Sequence, residues 1–153
     1  MHLKLHLPEK LSCFSVSPNG CWAAGGSPTG QVYLWEVRHA PTERRKYVLT
    51  SQLASGLLHA SFTAHYRAIT SLTFTPDSQM LLSASQDASV HVFLVARLVD
   101  EDDSGSIGKP YGTLKDHTLG IRNVAVGKTS GSHGGRCWTT SDDGTVKVSV
   151  PLS

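Results

Sequence analysis

Two sets of residues carry the side-chain types that acyl-transfer chemistry uses. His65, Ser83 and Asp87 form one set, and His117, Thr139 and Asp143 form the other; in each, the hydroxyl precedes the carboxylate by four positions. An Asp that orients a His, which in turn takes a proton from a hydroxyl, is the relay of a hydrolase. Such a nucleophile also needs an exposed turn and nearby oxyanion donors, and neither set lies in a stretch that provides them. The competing chemistry is architectural. Buried polar groups must find partners, because each one left unpaired costs about 1–3 kcal/mol, and three mutually bonded side chains satisfy one another. No catalytic residue is therefore assigned.

Other motifs carry less. Gly127-Lys128-Thr129 has the end of a phosphate-binding loop, but Arg122 stands where that loop needs its first glycine, and no helical stretch follows. The eight histidines include no HxH or HExxH spacing, and His133 lies in a Gly/Ser loop, so no metal or cofactor is expected. Asp100-Glu101-Asp102-Asp103, followed by Ser104-Gly105-Ser106, reads as a solvated loop; its functional reading is contact with a basic partner. Trp22, Tyr33 and Phe74 fall at strand positions where packing is the default explanation.

The elements that position the two sets are repeated. Ser17 to Trp22 aligns with Thr75 to Met80 at an offset of 58, and in that register Thr29 to Trp35 falls on Asp87 to Phe93. A third copy begins at Asp116-His117, offset by 52 from Ala64-His65, and ends at Asp143 to Ser149, offset by 56 from Asp87. Each copy reads as a strand (12–17, 68–75, 120–126), a turn, a second strand, a tight turn and a third strand. The Pro-Asn-Gly and Asp-Gly steps supply the backbone that short hairpins need, and no long stretch of helical period competes. The expected class is all-β.

Composition sets outer bounds. The chain has 153 residues, 39% of them hydrophobic and 17% charged, enough to bury a core. A net charge of +2, with no basic cluster beyond Arg44-Arg45-Lys46, gives no footprint for nucleic acid or a membrane surface. Cys13, Cys21 and Cys137 are odd in number and unpaired in spacing, which argues against a disulfide framework or zinc site and for a reducing compartment. Nothing marks secretion or membrane insertion.

The aligned copies resemble WD repeats, in which a His lies about two dozen residues ahead of an Asp-centred turn and an alternating strand ends in Trp. The resemblance implies a buried polar network: His65, Ser83 and Asp87 in the second copy, His117, Thr139 and Asp143 in the third, and Trp35 as the one strand-ending Trp. In the family the Asp accepts from the His and from turn amides, while the His ring bridges to the hydroxyl and onward to the indole N–H. The first copy departs from this, with Leu7 at the His position and Thr29 at the Asp position. Phe93 and Ser149 stand where the second and third copies would carry Trp, so blades short of the full network are expected to be softer.

A narrower resemblance rests on an ordered series: Pro8 to Cys13, Ala23-Ala24-Gly25-Gly26, Tyr33-Leu34-Trp35-Glu36, Ala64-His65-Tyr66-Arg67, Ala96 to Asp100 and Asp116-His117-Thr118-Leu119. Together these are similar to the Ipi-three family, also called WD-repeat protein eighteen. That resemblance implies a nuclear scaffold, nucleolar and nucleoplasmic, in the Rix complex. It would act in pre-ribosomal RNA spacer processing and large-subunit maturation beside an AAA-type ATPase, with protein partners, no cofactor and no small-molecule substrate.

The expected organisation is a partial propeller of about three blades over 1–153, where the family resemblance implies seven. The first repeat takes 8–63 with an insertion at 37–52, the second 64–115 with an acidic loop at 100–110, and the third 116–153 in truncated form. WD repeats recur every ~40–45 residues, and removing the 16 inserted residues brings the first spacing from 58 to 42. Two readings of the insertion stand. Val37-Arg38 and Val148-Ser149 permit donor-like codons, while Leu49-Thr50 and Gln52 permit a branch point and acceptor, so retained intron sequence explains both this segment and 149–153. The other reading is a true loop on the blade's outer edge. Function has alternatives as well: a generic WD-repeat adaptor such as a ubiquitin-ligase substrate receptor, or a product inactive by itself because an open propeller leaves apolar faces and strand edges unpaired.

Overall fold

Short strands of period-two alternation, broken by residues that fix the turn backbone, fold as antiparallel meanders. The computed structural model describes residues 5, 7–37, 57–100, 107–128 and 135–149. A first sheet holds β1 (Cys13–Val16), β2 (Trp22–Gly26), β3 (Gln31–Glu36) and β4 (Leu57–Thr63) in chain order. A second holds β5 (Ile69–Phe74), β6 (Met80–Ser85), β7 (Val90–Leu94) and β8 (Gly112–Leu114) in the same order. The third has β9 (Ile121–Gly127), β10 (Arg136–Ser141) and β11 (Val146–Ser149), three strands among the described residues.

The turns are built from their own side chains. Between the first two strands of a sheet, Asn19 Oδ1 accepts from the Cys21 amide and Asp77 Oδ1 from the Gln79 amide, both at 3.0 Å. Between the next two, Gly30, Ala88 and Gly144 take left-handed backbone at φ +88°, +67° and +79°. After β7 the chain forms one helical turn, α1 (Val95–Leu98). Its Val95 and Leu98, three positions apart, share one side and are buried in the core. Most of the insertion, 38–52, lies outside the described residues, as do 101–106 of the acidic loop and 150–153.

Sheets stack face to face. The first core joins Ala24, Val32, Leu34 and Phe62 of the first sheet to Ile69, Leu72 and Phe74 of the second. The second joins Leu82, Val90 and Val92 to Ile121, Val124 and Cys137. Backbone seals the first junction: the Gly30 carbonyl accepts from the amides of Ala64 (2.9 Å) and His65 (3.1 Å). Among the described residues no helix is long and apolar enough to cross a membrane.

Two glycines with the same backbone should therefore respond differently. A Cβ at Gly30 would sit 1.9 Å from the His65 carbonyl oxygen, whereas one at Gly144 would meet nothing within 4 Å. Gly144→Ala is expected to cost about 1 kcal/mol, the ordinary penalty of left-handed backbone. Gly30→Ala should cost at least about twice that, since the junction must also shift. Denaturant unfolding of the two variants makes the comparison, and equal losses would contradict the packing at Gly30.

Candidate functional site

Asp87 and Asp143 lie in the tight turn after the second strand of their sheets, and His65 and His117 in the connection that leads into the first strand. His65 Nδ1 lies 2.8 Å from Asp87 Oδ2, and His65 Nε2 lies 2.8 Å from Ser83 Oγ. His117 Nδ1 lies 2.9 Å from Asp143 Oδ2, and its Nε2 lies 2.7 Å from Thr139 Oγ1. A carboxylate only accepts, so Nδ1 carries the proton and Nε2 accepts from the hydroxyl. The other carboxylate oxygens accept from turn amides, Ser89 N–H at 3.0 Å and Thr145 N–H at 2.9 Å. The two imidazoles and both hydroxyls are buried.

These hydrogen bonds set the charge state. Burial raises the pKa of Asp87, yet donors from Ser89 and His65 outweigh it and hold the carboxyl below its ordinary value. Thr145, working against desolvation and helped by His117 and backbone amides, holds Asp143 well below the usual carboxylate range. His91 stacks on His65 at 4.2 Å, its Nδ1 buried without a partner, and burial is the main cause that lowers its pKa. A cleft of about 570 Å³ opens above this group, lined by His65, Tyr66, Asp87, His91, Lys115 and His117.

Distances alone would allow the Ser83-His65-Asp87 set to act as a hydrolytic relay. Access does not. Ser83 is 0% exposed and sits mid-strand in β6, paired with Leu72 on one side and His91 on the other, so no carbonyl carbon can reach its oxygen. Gly127 of the Gly-Lys-Thr motif is a β9 residue, in extended strand instead of a phosphate-cradling loop. Among the described residues no three His, Cys, Asp or Glu side chains gather to hold a metal. Burial pushes the Cys137 thiol up to about 11, away from thiolate chemistry.

Trp35 requires a correction. The resemblance placed it in the polar network, but its Nε1 is buried with no hydrogen-bond partner. The reason lies across the strand pair, where Gly25 holds the place that Ser83 takes in the second sheet. A Cβ there would come within 2.6 Å of Leu11 Cδ1 and 3.0 Å of the Trp35 ring. The indole is packed instead against Phe14 and Tyr33, with ring centroids 6.3 and 6.0 Å away.

The first sheet also holds a residue that motif reading missed. Tyr33 Oη donates to Glu9 Oε1 at 2.6 Å, and Thr29 Oγ1 donates to the same oxygen at 3.1 Å. Glu9 thus brings a carboxylate to the turn that lacks an Asp, while Leu7, at the histidine position, is half exposed. The Tyr33 hydrogen bond lowers the Glu9 pKa, and Glu9 in turn pushes the Tyr33 phenol up to about 12. The one signal in the sequence was Thr29 itself, a hydroxyl where a carboxylate belonged; nothing in the spacing pointed 20 residues back to Glu9.

Stacked antiparallel meanders, of four, four and three strands among the described residues and each cornered by a buried His-Asp pair or its substitute, define the blades of a WD-repeat propeller. The WD domain, G-beta repeat, model matches residues 2–36, 56–93 and 108–148, and the chain belongs to that family. It is 37% identical over 153 residues to the Pre-rRNA-processing protein IPI3 of Mycosarcoma maydis, which covers 95% of this chain and 23% of that protein. With Pre-rRNA-processing protein crb3/ipi3 of Schizosaccharomyces pombe it shares 32% identity over 93% of this chain and 29% of the relative. The chain therefore spans between 23 and 29% of these two curated relatives. The crystal structure of the RRP9 WD40 repeats matches with a TM-score of 0.64 at 24% identity, over 92% of this chain and 33% of that one. The propeller domain of Cps50 (Swd1) from Myceliophteria thermophila matches with a TM-score of 0.63 at 16% identity, over 93% and 37%. These two likenesses establish the blade fold.

Two measurements follow from the titrating groups. His91, Asp87 and Asp143 all have depressed pKa values in the folded chain, so each binds fewer protons folded than unfolded and loses stability on acidification. The urea midpoint should fall as pH drops below the ordinary His value of 6.5 and again below the ordinary Asp value of 3.8; His91→Gln should reduce the first fall and leave the second. A midpoint flat across both windows would contradict the assigned networks. In alkaline titration of phenolate absorbance, one of the four tyrosines should titrate near 12, and Glu9→Gln should return it toward the ordinary 10.

Proposed function

We propose that this chain is part of a non-catalytic WD-repeat scaffold that acts in pre-ribosomal RNA processing. The observation that supports this most is its similarity, along nearly the whole chain, to proteins named for that process in Mycosarcoma maydis and Schizosaccharomyces pombe. The buried relay supports the non-catalytic half of the reading: a hydroxyl sealed inside a strand pair holds a turn and turns over no substrate. The partners proposed are protein subunits of the Rix complex and the pre-ribosomal particle with its AAA-type ATPase, in the nucleus and its nucleolus. Rigid blades present loops and edges to such partners without needing a reactive group.

Purification of the full-length gene product from cells should recover the other Rix subunits and large-subunit precursor RNA; recovery of ubiquitin-ligase subunits in their place would favour the adaptor reading. Ser83→Ala separates scaffold from enzyme. It should support spacer processing to within about twofold of the wild type once protein abundance is matched, because it removes about 1–3 kcal/mol of internal hydrogen bonding and no chemistry. Loss of processing at unchanged abundance would point to a catalytic hydroxyl.

A further inference from the structure

The cleft over His91 lies between the connections that enter the second and third sheets, and its walls are drawn from residues 63–117. The end of β4, the 87–89 turn, β7 and the residues after β8 build it; β5 and β9, the first strands of their sheets, contribute no lining residue. A further blade would pack on the outer face of the first or third sheet, so it could not fill a cleft centred on the second. The volume, about 570 Å³, is that of a site for a few side chains. Its polar groups are unevenly satisfied. Asp87 is the one acid among the lining residues, and its two oxygens already accept from His65, from the Ser89 amide and from the Ser89 hydroxyl. Among the described residues, neither the Lys115 ammonium nor the Tyr66 hydroxyl has a hydrogen bond or ion pair, and both side chains are exposed. Lys115 is also near enough to His91 for its charge to help keep that imidazole neutral. The ammonium therefore faces a cleft whose own carboxylate is committed elsewhere.

From this unmet charge we propose that the cleft receives an acidic side chain, Asp or Glu, presented on an extended segment of a protein partner. Lys115 is its ion-pair partner, and the Tyr66 ring packs along the segment. Charge count selects a carboxylate over a nucleic-acid backbone. One free ammonium and no guanidinium line the cleft, since Arg67, next to Tyr66, lies outside its wall; tracking successive phosphates takes several cations. Exposure selects a segment over a small free acid. Tyr66 is 80% exposed, and a single bound carboxylate would leave its ring bare, whereas a peptide covers it; aromatic anchors of this kind are what protein interfaces favour. The site is independent of the process that the scaffold serves, so its failure would leave the ribosomal reading standing.

Fluorescence anisotropy of a labelled hexaglutamate peptide, titrated at low salt with the full-length gene product, reads the binding. Binding should saturate, and a hexaglutamine peptide should not bind. Lys115→Gln should weaken it about tenfold, the loss of one charge-assisted hydrogen bond. Tyr66→Ala should weaken it by about threefold or more. Lys109→Gln removes the same charge beyond the other end of β8, outside the cleft, and should stay within about twofold of the wild type. All three side chains are exposed, so the variants should fold, which unchanged circular dichroism verifies. A second readout locates the contact. Carbodiimide, which joins a paired carboxylate and ammonium as an amide with loss of water, should couple the peptide to Lys115 Nζ in preference to other lysines, as mass spectrometry of the digested product would show. Equal losses in Lys115→Gln and Lys109→Gln, coupling spread evenly over surface lysines, or no saturable binding would each overturn the proposal. So would a hexameric oligouridylate that binds more tightly than the peptide and depends on Lys115, which would assign the cleft to RNA.

Discussion

An imidazole held between an ionised carboxylate and a hydroxyl is the constraint on which the second and third sheets depend. His65 and His117 come from the connections that precede their sheets, and Asp87 and Asp143 from turns more than 20 residues later, so the bond fixes where a connection ends and a strand begins. The same connection is held from the other side, because the His65 amide donates to the Gly30 carbonyl of the preceding sheet. One residue thereby fixes both the corner of its own sheet and the distance to its neighbour. Low dielectric strengthens these bonds, and it would penalise each partner if one were lost.

The first sheet reaches a similar corner with different parts. Without the imidazole and with Gly25 in place of a hydroxyl, its strand-ending indole has nothing polar to meet and is packed as a hydrocarbon. Glu9 restores a carboxylate to the turn from outside it, through Thr29 and Tyr33. The position of Tyr33 performs a related task in every sheet: His91 stacks over the His65 connection, and the Lys147 ammonium donates to the Asp116 carbonyl. Three unlike side chains at one repeat position each tie the third strand to the connection before the first.

How much of this was legible depended on the range of the interaction. Alternation and turn residues act locally, so strands read as 12–17, 68–75 and 120–126 lie within a residue of β1, β5 and β9 at most ends. The His-to-Asp spacing identified the two relays because their residues repeat at fixed offsets. The Trp35 environment was not legible, since it turns on a glycine across the strand pair and not on the indole's own position. Glu9 was hidden for the same reason, and α1 because four residues are too few to show a helical period.

A scaffold built this way carries its histidines as rivets, and their protons report whether that description holds. Nitrogen-15 NMR of the imidazoles, in uniformly labelled protein at neutral pH, is the most direct test. His65 and His117 should both be protonated on Nδ1, with those protons exchanging slowly with water and Nε2 shifted as a hydrogen-bond acceptor. Protonation on Nε2, or Nδ1 protons lost to rapid exchange, would place the rings in solvent and contradict a buried architectural relay.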